Sequence, residues 1–481
     1  MMKMSKKNPV NIPPFFYFPK HMFYLKPMNL KTLKKRNLLE KIPKAIKLKS
    51  NYHINQGNRA KNLLKMLKKH GEVFSFFVNN ELFIAAFSPE AAYQISVAQK
   101  DNFSKGTGWN RIRKFGGEGM LTLEEPTHSE RRSIAQPSLN YKKIQKDYFD
   151  IMCLKSENRM SEWKNSKNIE VHTEMVNLTL EIVCQSLFGI DFKEKTSFVK
   201  KHMDICVTNG ERTVSPLLHR FDHTNLPIFK QFRESAIELF NFVQKTIDER
   251  IKNPIESDDL LSVFIKSYQD PESNLSLSDI NNEILTMLLA GFETTANALS
   301  FAICNINDNP RYFNLLQEEA KEILLKRNDD NFIELVSNAE ICSSIIKETL
   351  RIHPPLWIQP RFCKKDSIID GHFFPQGANV VLSSYPIHNN PNIYKNPEKF
   401  MPERWTKDFE SRLPRGSYFP FGMGSRKCIG DMFAMLEMKV ILLNIFANFD
   451  LKTKKKNPGG QSHVSYRPSG KIKATLNPID L

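Results

Sequence analysis

Three observations place this 481-residue chain among mainly α proteins with a minor, segregated β part, an α+β arrangement dominated by helix. From about residue 125 to 350, apolar residues recur at helical spacing, as in Ile237, Phe240, Val243 and Ile247. Sequence of β type is confined to short stretches near 73–87, 367–381 and the last thirty residues. No linker, repeat or low-complexity tract interrupts the chain beyond residue 50, so 51–481 is expected to be one large domain able to bury a ligand completely.

Residues 1–50 read as a separate basic arm. They carry 13 Lys/Arg against one acid, Glu40, and so hold +12 of the net charge of +17. Phe15, Phe16, Tyr17, Phe18, Phe23 and Tyr24 lie among the lysines, broken by Pro9, Pro13, Pro14, Pro19 and Pro27. No stretch reaches the roughly 20 apolar residues of a membrane span. Two readings stand: peripheral contact with an anionic membrane surface, or a solvated tail folded partly over the body. No recognition fold accompanies the charge, which argues against nucleic-acid binding, and a Lys-rich segment is a poor transit peptide.

Past the arm, Asn58–His70 reads as a helix, and Val73–Val78 and Leu82–Phe87 as strands around the hairpin signal Asn79-Asn80-Glu81. Ser276-x-x-Asp279 forms a capping box. The chain is then helical in character to about Asn309, where Pro310 stops it. Roughly 33 residues at about 1.5 Å each make a rod of about 50 Å, long enough to cross the domain. Between Ile284 and Ile306 only Glu293 is charged. Thr286, Thr294, Thr295, Asn297, Ser300 and Asn305 favour a helix through the core over a membrane span. After His353-Pro354-Pro355 comes the β-type stretch Ser367–Val381, then a proline-rich coil over Pro391–Pro420. The last thirty residues, with Gly459-Gly460 and Pro468-Ser469-Gly470, read as a terminal hairpin.

The seven cysteines, Cys153, Cys184, Cys206, Cys304, Cys342, Cys363 and Cys428, are scattered, odd in number and without a CxxC pair. Together with the lack of a secretory signal this points to a reducing, cytoplasmic compartment. Cys428 stands apart. It ends a glycine-lined turn, Phe421-Gly-Met-Gly-Ser-Arg-Lys-Cys-Ile-Gly430, directly before a long apolar helical run. A lone thiolate suits a single metal centre, and the helix start directs unpaired N–H groups and positive dipole at the sulfur. Gly422 is expected to let the backbone approach a flat ligand, and Arg426 to meet an anionic group on it. Haem, a planar iron macrocycle with two carboxylates, fits these requirements.

The pattern Phe-Gly-x-Gly-x-Arg-x-Cys-x-Gly resembles the haem-ligand loop of the cytochrome P-450 superfamily, with the resemblance covering about residues 55–481. Six specified positions arise by chance with a frequency on the order of 10⁻⁸ per starting point. The resemblance implies haem b between a long distal helix and the helix that follows Cys428, with Cys428 as the iron ligand. Ala290-Gly291-Phe292-Glu293-Thr294-Thr295 then matches the family's Ala/Gly-Gly-x-acid-Thr motif. Thr294 maps to the oxygen-activating threonine and Glu293 to its acid neighbour, while Gly291 leaves room for dioxygen and Phe292 narrows the distal pocket. Glu348-Thr-Leu-Arg351 resembles the Glu-x-x-Arg that locks with the arginine of Pro402-Glu403-Arg404-Trp405, which implies a buried structural triad of Glu348, Arg351 and Arg404. His128-x-x-x-Arg132 resembles the Trp-x-x-x-Arg helix that meets a haem propionate, with His128 in place of tryptophan. Arg361 occupies a place that often meets the other.

By this resemblance the chain is expected to be a monooxygenase without a fused reductase, using O2 and NAD(P)H-derived electrons from a separate ferredoxin or flavoprotein reductase. Lys427, Arg131, Lys142 and Lys143 are candidates for the docking patch. Ala290, Phe292, Leu356, Trp357, Ile358 and the 106–119 loop are expected to line a pocket for a small apolar substrate of fatty acid, terpenoid or polyketide type. Two other classes share the cysteine loop. A peroxide-driven peroxygenase or haem-dependent isomerase would not need the acid–alcohol pair, and a non-catalytic haem-binding sensor would lack turnover.

Overall fold

The computed structural model describes residues 27–46, 58–78, 80–106, 109, 113, 117–189, 196–214, 224–454 and 458–480. Its axis is the helix Leu277–Asn307, which packs against the helices Val171–Phe188, Pro227–Lys252, Glu340–Ile352 and Asp431–Asn448. The capping box forms as read: Asp279 N–H donates to Ser276 Oγ at 3.2 Å and Ser276 N–H to Asp279 Oδ2 at 2.9 Å. At the other end Asn309 precedes the next helix, Pro310–Leu324, which places proline at a first helical position where its missing N–H costs nothing. Among the described residues this is the one helix long and apolar enough to cross a membrane, and it is mostly buried within the protein. The hydroxyl and amide side chains along it find partners there, as in Ser300 Oγ–H to Ala296 C=O at 2.6 Å.

The β part is segregated as expected and more extensive than read. One sheet runs in the order Ala45–Ile46, Val73–Val78, Glu81–Ala86, Asn379–Leu382, Gln359–Cys363, Phe103–Ser104. Val73–Val78 and Glu81–Ala86 form the hairpin, with Val73 opposite Ala86, and Glu81–Ala86 runs parallel to Asn379–Leu382. The strand Gln359–Cys363 follows the Pro-Pro turn and was not legible, because Pro360 interrupts a run that otherwise alternates weakly. A second sheet joins Phe449–Thr453, Lys473–Pro478 and Asn168–Glu170, and the expected hairpin forms as Gly460–Ser462/Tyr466–Pro468, followed by the strand Lys473–Pro478. A large apolar core fills the helical side, and a second lies under the first sheet.

Residues 27–46, the described part of the expected arm, dock on the first sheet. Met28 N–H donates to Gly377 C=O and Leu82 N–H to Met28 C=O, both at 2.7 Å. Asn29 caps the helix Leu30–Lys35, Leu33, Leu38 and Ile42 are buried, and Ala45–Ile46 pairs with Ser75 and Phe76. Four apolar side chains, Met28 included, thus tie residues 27–46 to the sheet core despite their positive charge. The aromatic residues on which membrane contact was argued lie outside the described residues.

Candidate haem-thiolate site

Between Ile280 and Ile306 the central helix is buried except at Leu289, Ala290, Gly291 and Thr294. At about 100° per residue, Ala290, Gly291 and Thr294 share one face. A mid-helix strip of small residues with open surface, inside a core of large ones, is where a flat ligand can lie. Thr294 Oγ1 donates to Ala290 C=O at 2.7 Å, the local bond to the preceding turn. Glu293 projects from a neighbouring face, and Ser465 Oγ donates to its Oε1 at 2.7 Å. The acid and the alcohol are therefore adjacent in sequence and not bonded to each other.

Two expectations for this helix are corrected. Phe292 stands about 150° around the helix from the open strip, buried in the core, with Thr179 Oγ1 donating to its carbonyl at 3.1 Å; it does not narrow the pocket. A Cβ on Gly291 would stand 3.1 Å from Val183 Cγ2, so the glycine first serves close approach of the Val171–Phe188 helix.

The cysteine loop is fixed by its own backbone. Cys428 N–H donates to Phe421 C=O at 2.7 Å and Lys427 N–H to Gly424 C=O at 3.1 Å. Arg132 Nη1 donates to Lys427 C=O at 2.7 Å, tying the Thr127–Ala135 helix to the residue before the thiol. Gly422 and Gly424 sit at φ +74° and +66°, in the left-handed region. A Cβ on Gly424 would come within 2.2 Å of Ser96 C=O, so turn conformation and chain packing, more than ligand approach, require glycine here.

Cys428 is the one exposed cysteine of the seven, and yet burial is the largest cause of its thiol being held above the ordinary value. Open surface and buried surroundings coexist where a side chain lines an internal recess. The Gly430 N–H, Arg132 and Lys427 pull the thiol down and Asp431 pushes it up. The helix start and nearby cations therefore do not make the thiolate on their own, and coordination to a metal would.

On this loop and beside it lies an excess of positive charge, much of it buried. Arg426 Nη1 donates to Leu123 C=O at 2.6 Å, and its Nη2 lies 3.5 Å from Glu124 and 3.3 Å from Glu125. Arg361 is buried with a bond to Pro360 C=O at 3.0 Å; burial, then Arg426, lowers its guanidinium to about 10. Lys105, which the sequence reading missed, is buried with its ammonium 4.6 Å over the Trp109 ring and bonded to Leu121 C=O. Burial, then Arg426 and Arg361, pushes it well below its ordinary value. His128 is neutral: burial, then Arg426, takes it to about 4 despite Glu125 Oε1 at 3.0 Å from Nδ1. Mutually repelling buried cations are costly unless an anion joins them. The two carboxylates of haem, beside one accessible thiol and an open helix strip, fit these residues.

The predicted triad assembles. Arg351 Nε and Nη2 donate to Glu348 at 2.9 and 2.8 Å, and Arg404 Nε donates to Glu348 Oε1 at 3.1 Å, all three residues being shielded from solvent. Other expectations fail. Trp357 is not a pocket residue: its indole N–H donates to His463 C=O at 2.9 Å and its ring packs with Ala60, Phe301, Tyr385 and Tyr466. Leu356 and Ile358, on either side, keep part of their surface open. Arg131 pairs with Asp279 at 3.0 Å and is only 11% exposed, which removes it from a docking patch. Most of the 106–119 loop lies outside the described residues, although Gly119 abuts Thr286 on the central helix. An apolar cleft lined by Phe188, Val243, Ile247, Ile284 and Leu288 lies toward the start of that helix and holds no titratable group.

Comparison with known proteins agrees with this geometry. The sequence pattern described as Cytochrome P450 matches residues 44–474. The chain is 27% identical over 393 residues, 81% of its length and 84% of the other's, to cyclooctat-9-en-7-ol 5-monooxygenase of Streptomyces melanosporofaciens. It is 27% identical over 420 residues to cyclooctatin synthase of the same organism, covering 86% of this chain and 89% of that one. The crystal structure of the cytochrome P450DA heme domain superposes with a TM-score of 0.81 at 22% identity, covering 91% of this chain and 98% of the other, which bears on the fold. The chain therefore belongs to the cytochrome P450 family, whose members are haem-dependent oxidoreductases that use O2, and it is a monooxygenase.

Proposed function

We propose that this enzyme inserts one oxygen atom of O2 into a C–H bond of a small apolar molecule of fatty acid, terpenoid or polyketide type, reducing the other atom to water with two electrons and two protons. The observation that carries this reading is the open strip Ala290, Gly291, Thr294 on an otherwise buried helix, in a protein with one accessible cysteine, Cys428. Haem held by that thiolate supplies dioxygen reduction and oxygen-atom transfer, the thiolate's electron donation favouring O–O cleavage.

The chain's own residues do the rest. Arg361, Arg426 and Lys105 bind the cofactor's carboxylates, with Arg132 and His128 bracing the elements around them. Thr294 turns its hydroxyl from Ala290 C=O to hold a hydrogen bond at the reacting oxygen, and Glu293 supplies protons to it. Leu356 and Ile358 flank the substrate. Electrons arrive from a separate ferredoxin or flavoprotein reductase. Lys427, 51% exposed, and Lys142, on the surface beside the exposed Tyr141, are cations open to an acidic partner.

Titration of the purified holoprotein with a panel of fatty acids and terpenoids, read as the spin-state change of ferric haem, tests the pocket. Compounds that shift the spectrum should be oxidised with NAD(P)H, a surrogate ferredoxin and its reductase. Spectral binding with no oxygen-dependent product would favour a sensor.

A further inference from the structure

We propose that Ser465, Asn297 and His172 are positioning residues for Glu293, holding one oxygen of its carboxylate by a chain of hydrogen bonds that runs in a single direction. This rests on the reading of Glu293 as the proton-supplying acid.

The tip of the C-terminal hairpin, between Gly460–Ser462 and Tyr466–Pro468, reaches the central helix. There Ser465 Oγ donates to Glu293 Oε1 at 2.7 Å. Asn297 lies four residues after Glu293 and so on the same helix face. Its Nδ2 donates to Ser465 Oγ at 3.1 Å, and its Oδ1 is 2.9 Å from His172 Nε2, on the Val171–Phe188 helix. Glu293, Asn297 and Ser465 are buried, and His172 is half-buried.

Each bond orders the next. Because Ser465 Oγ receives the Asn297 N–H, its single proton points at Glu293. Because Asn297 turns its N–H end to Ser465, its oxygen faces His172, which must carry its proton on Nε2. An amide does not hand protons from one side to the other as a hydroxyl does. The chain therefore does not conduct protons inward from His172; it pins Glu293 Oε1 away from the Thr294 face and sets the direction in which the acid acts. The charged groups around His172 are Glu170 and Asp204, with Lys200 and Arg467 beside Asp204.

Ser465→Ala, Asn297→Ala, Ser465→Thr and Glu293→Gln holoproteins test this with two readouts. In the diamagnetic ferrous carbon monoxide form, nitrogen-15 NMR of the imidazole reports which His172 nitrogen is protonated. The parent should carry the proton on Nε2, and both alanine variants should lose that preference. NADPH-driven oxygen consumption through a surrogate ferredoxin, in H2O and D2O, should slow on the order of tenfold in both alanine variants, part of the 10²–10⁴-fold a positioned acid contributes. Its solvent isotope effect should rise. Peroxide-driven oxidation of guaiacol, which brings its own protons, should change less than about twofold, and Ser465→Thr should restore the parent values. If Ser465→Ala yields no holoprotein, Asn297→Ala carries the same readouts. An alanine variant that keeps the parent's tautomer, rate and isotope effect overturns the inference. Loss of rate in Glu293→Gln alone would leave the acid's role intact, whereas a parent-like Glu293→Gln would overturn that role too.

Discussion

The indole N–H of Trp405 donates to Glu348 Oε2 at 3.0 Å, which makes the tryptophan a fourth side chain in the predicted triad. Met401 N–H adds a further donor to Oε1 at 3.0 Å. Arg351 meanwhile extends to the carbonyls of His388 and Pro397 at 2.8 and 2.9 Å, so the Glu340–Ile352 helix is stitched to the coil that leads toward the cysteine loop. Glu348→Ala should leave two buried guanidinium groups without their carboxylate and destabilise by about 3–5 kcal/mol. Trp405→Phe, which removes one bond to a charged acceptor, should cost about 1.5–3 kcal/mol. Urea denaturation and haem content check both; parent-like values for Glu348→Ala would reduce the cluster to a bystander.

Glu283 gives a pH test. Its carboxylate accepts the Met120 N–H at 2.9 Å and so docks the 117–122 segment on the central helix. Burial, the largest influence, pushes its carboxyl from 4.5 up to about 7, against the Met120 bond and Arg131. A folded carboxyl that holds its proton more tightly than the unfolded one loses stability as pH rises between those two values. The loss should be on the order of 3 kcal/mol. Glu283→Gln keeps the acceptor for Met120 and should lack this dependence. The difference in melting temperature between the two proteins, followed from pH 4.5 to 8, should grow toward alkaline pH; a constant difference would contradict it.

The contact between Gly291 and Val183 predicts a coupled pair. Alanine in mid-helix gains about 1 kcal/mol over glycine, but at Gly291 its Cβ would press on Val183 Cγ2 and Cγ1 at 3.1 and 3.3 Å. Gly291→Ala combined with Val183→Ala should therefore be more stable than the sum of the single changes, by about 0.5–3 kcal/mol. Strict additivity in denaturant would mean that the helices do not meet there.

Thr294→Ala should keep haem, substrate binding and carbon monoxide binding, and still consume NAD(P)H and oxygen. Its product formed per cofactor oxidised should fall, with hydrogen peroxide as the difference. Undiminished coupling would place oxygen activation elsewhere.

Motif residues were legible where their partners follow from type and spacing: Glu348 meets Arg351 and Arg404, and Ser276 meets Asp279, as expected. The residues missed are those whose roles depend on distant chain segments. Lys105 is one lysine among many until burial beside Arg361 and Arg426 gives it meaning. Ser465 is a loop serine until the hairpin carries it to Glu293, 172 residues away in sequence. Errors of rationale had a single source. Gly291, Phe292 and Trp357 were read against a ligand, whereas each first answers to protein packing. The docking of residues 27–46 was hidden by charge, since four buried apolar side chains outweigh the lysines around them.

The central claim is that Cys428 is the iron ligand of a haem-thiolate enzyme, and the reduced, carbon monoxide-bound spectrum tests it most directly. The parent protein should show the strongly red-shifted Soret band of thiolate-ligated haem, and replacing any of the six buried cysteines by serine or alanine should leave that band in place in whatever holoprotein forms. Cys428→Ser should lose it. A Cys428→Ser protein that retains the red-shifted band would contradict the account.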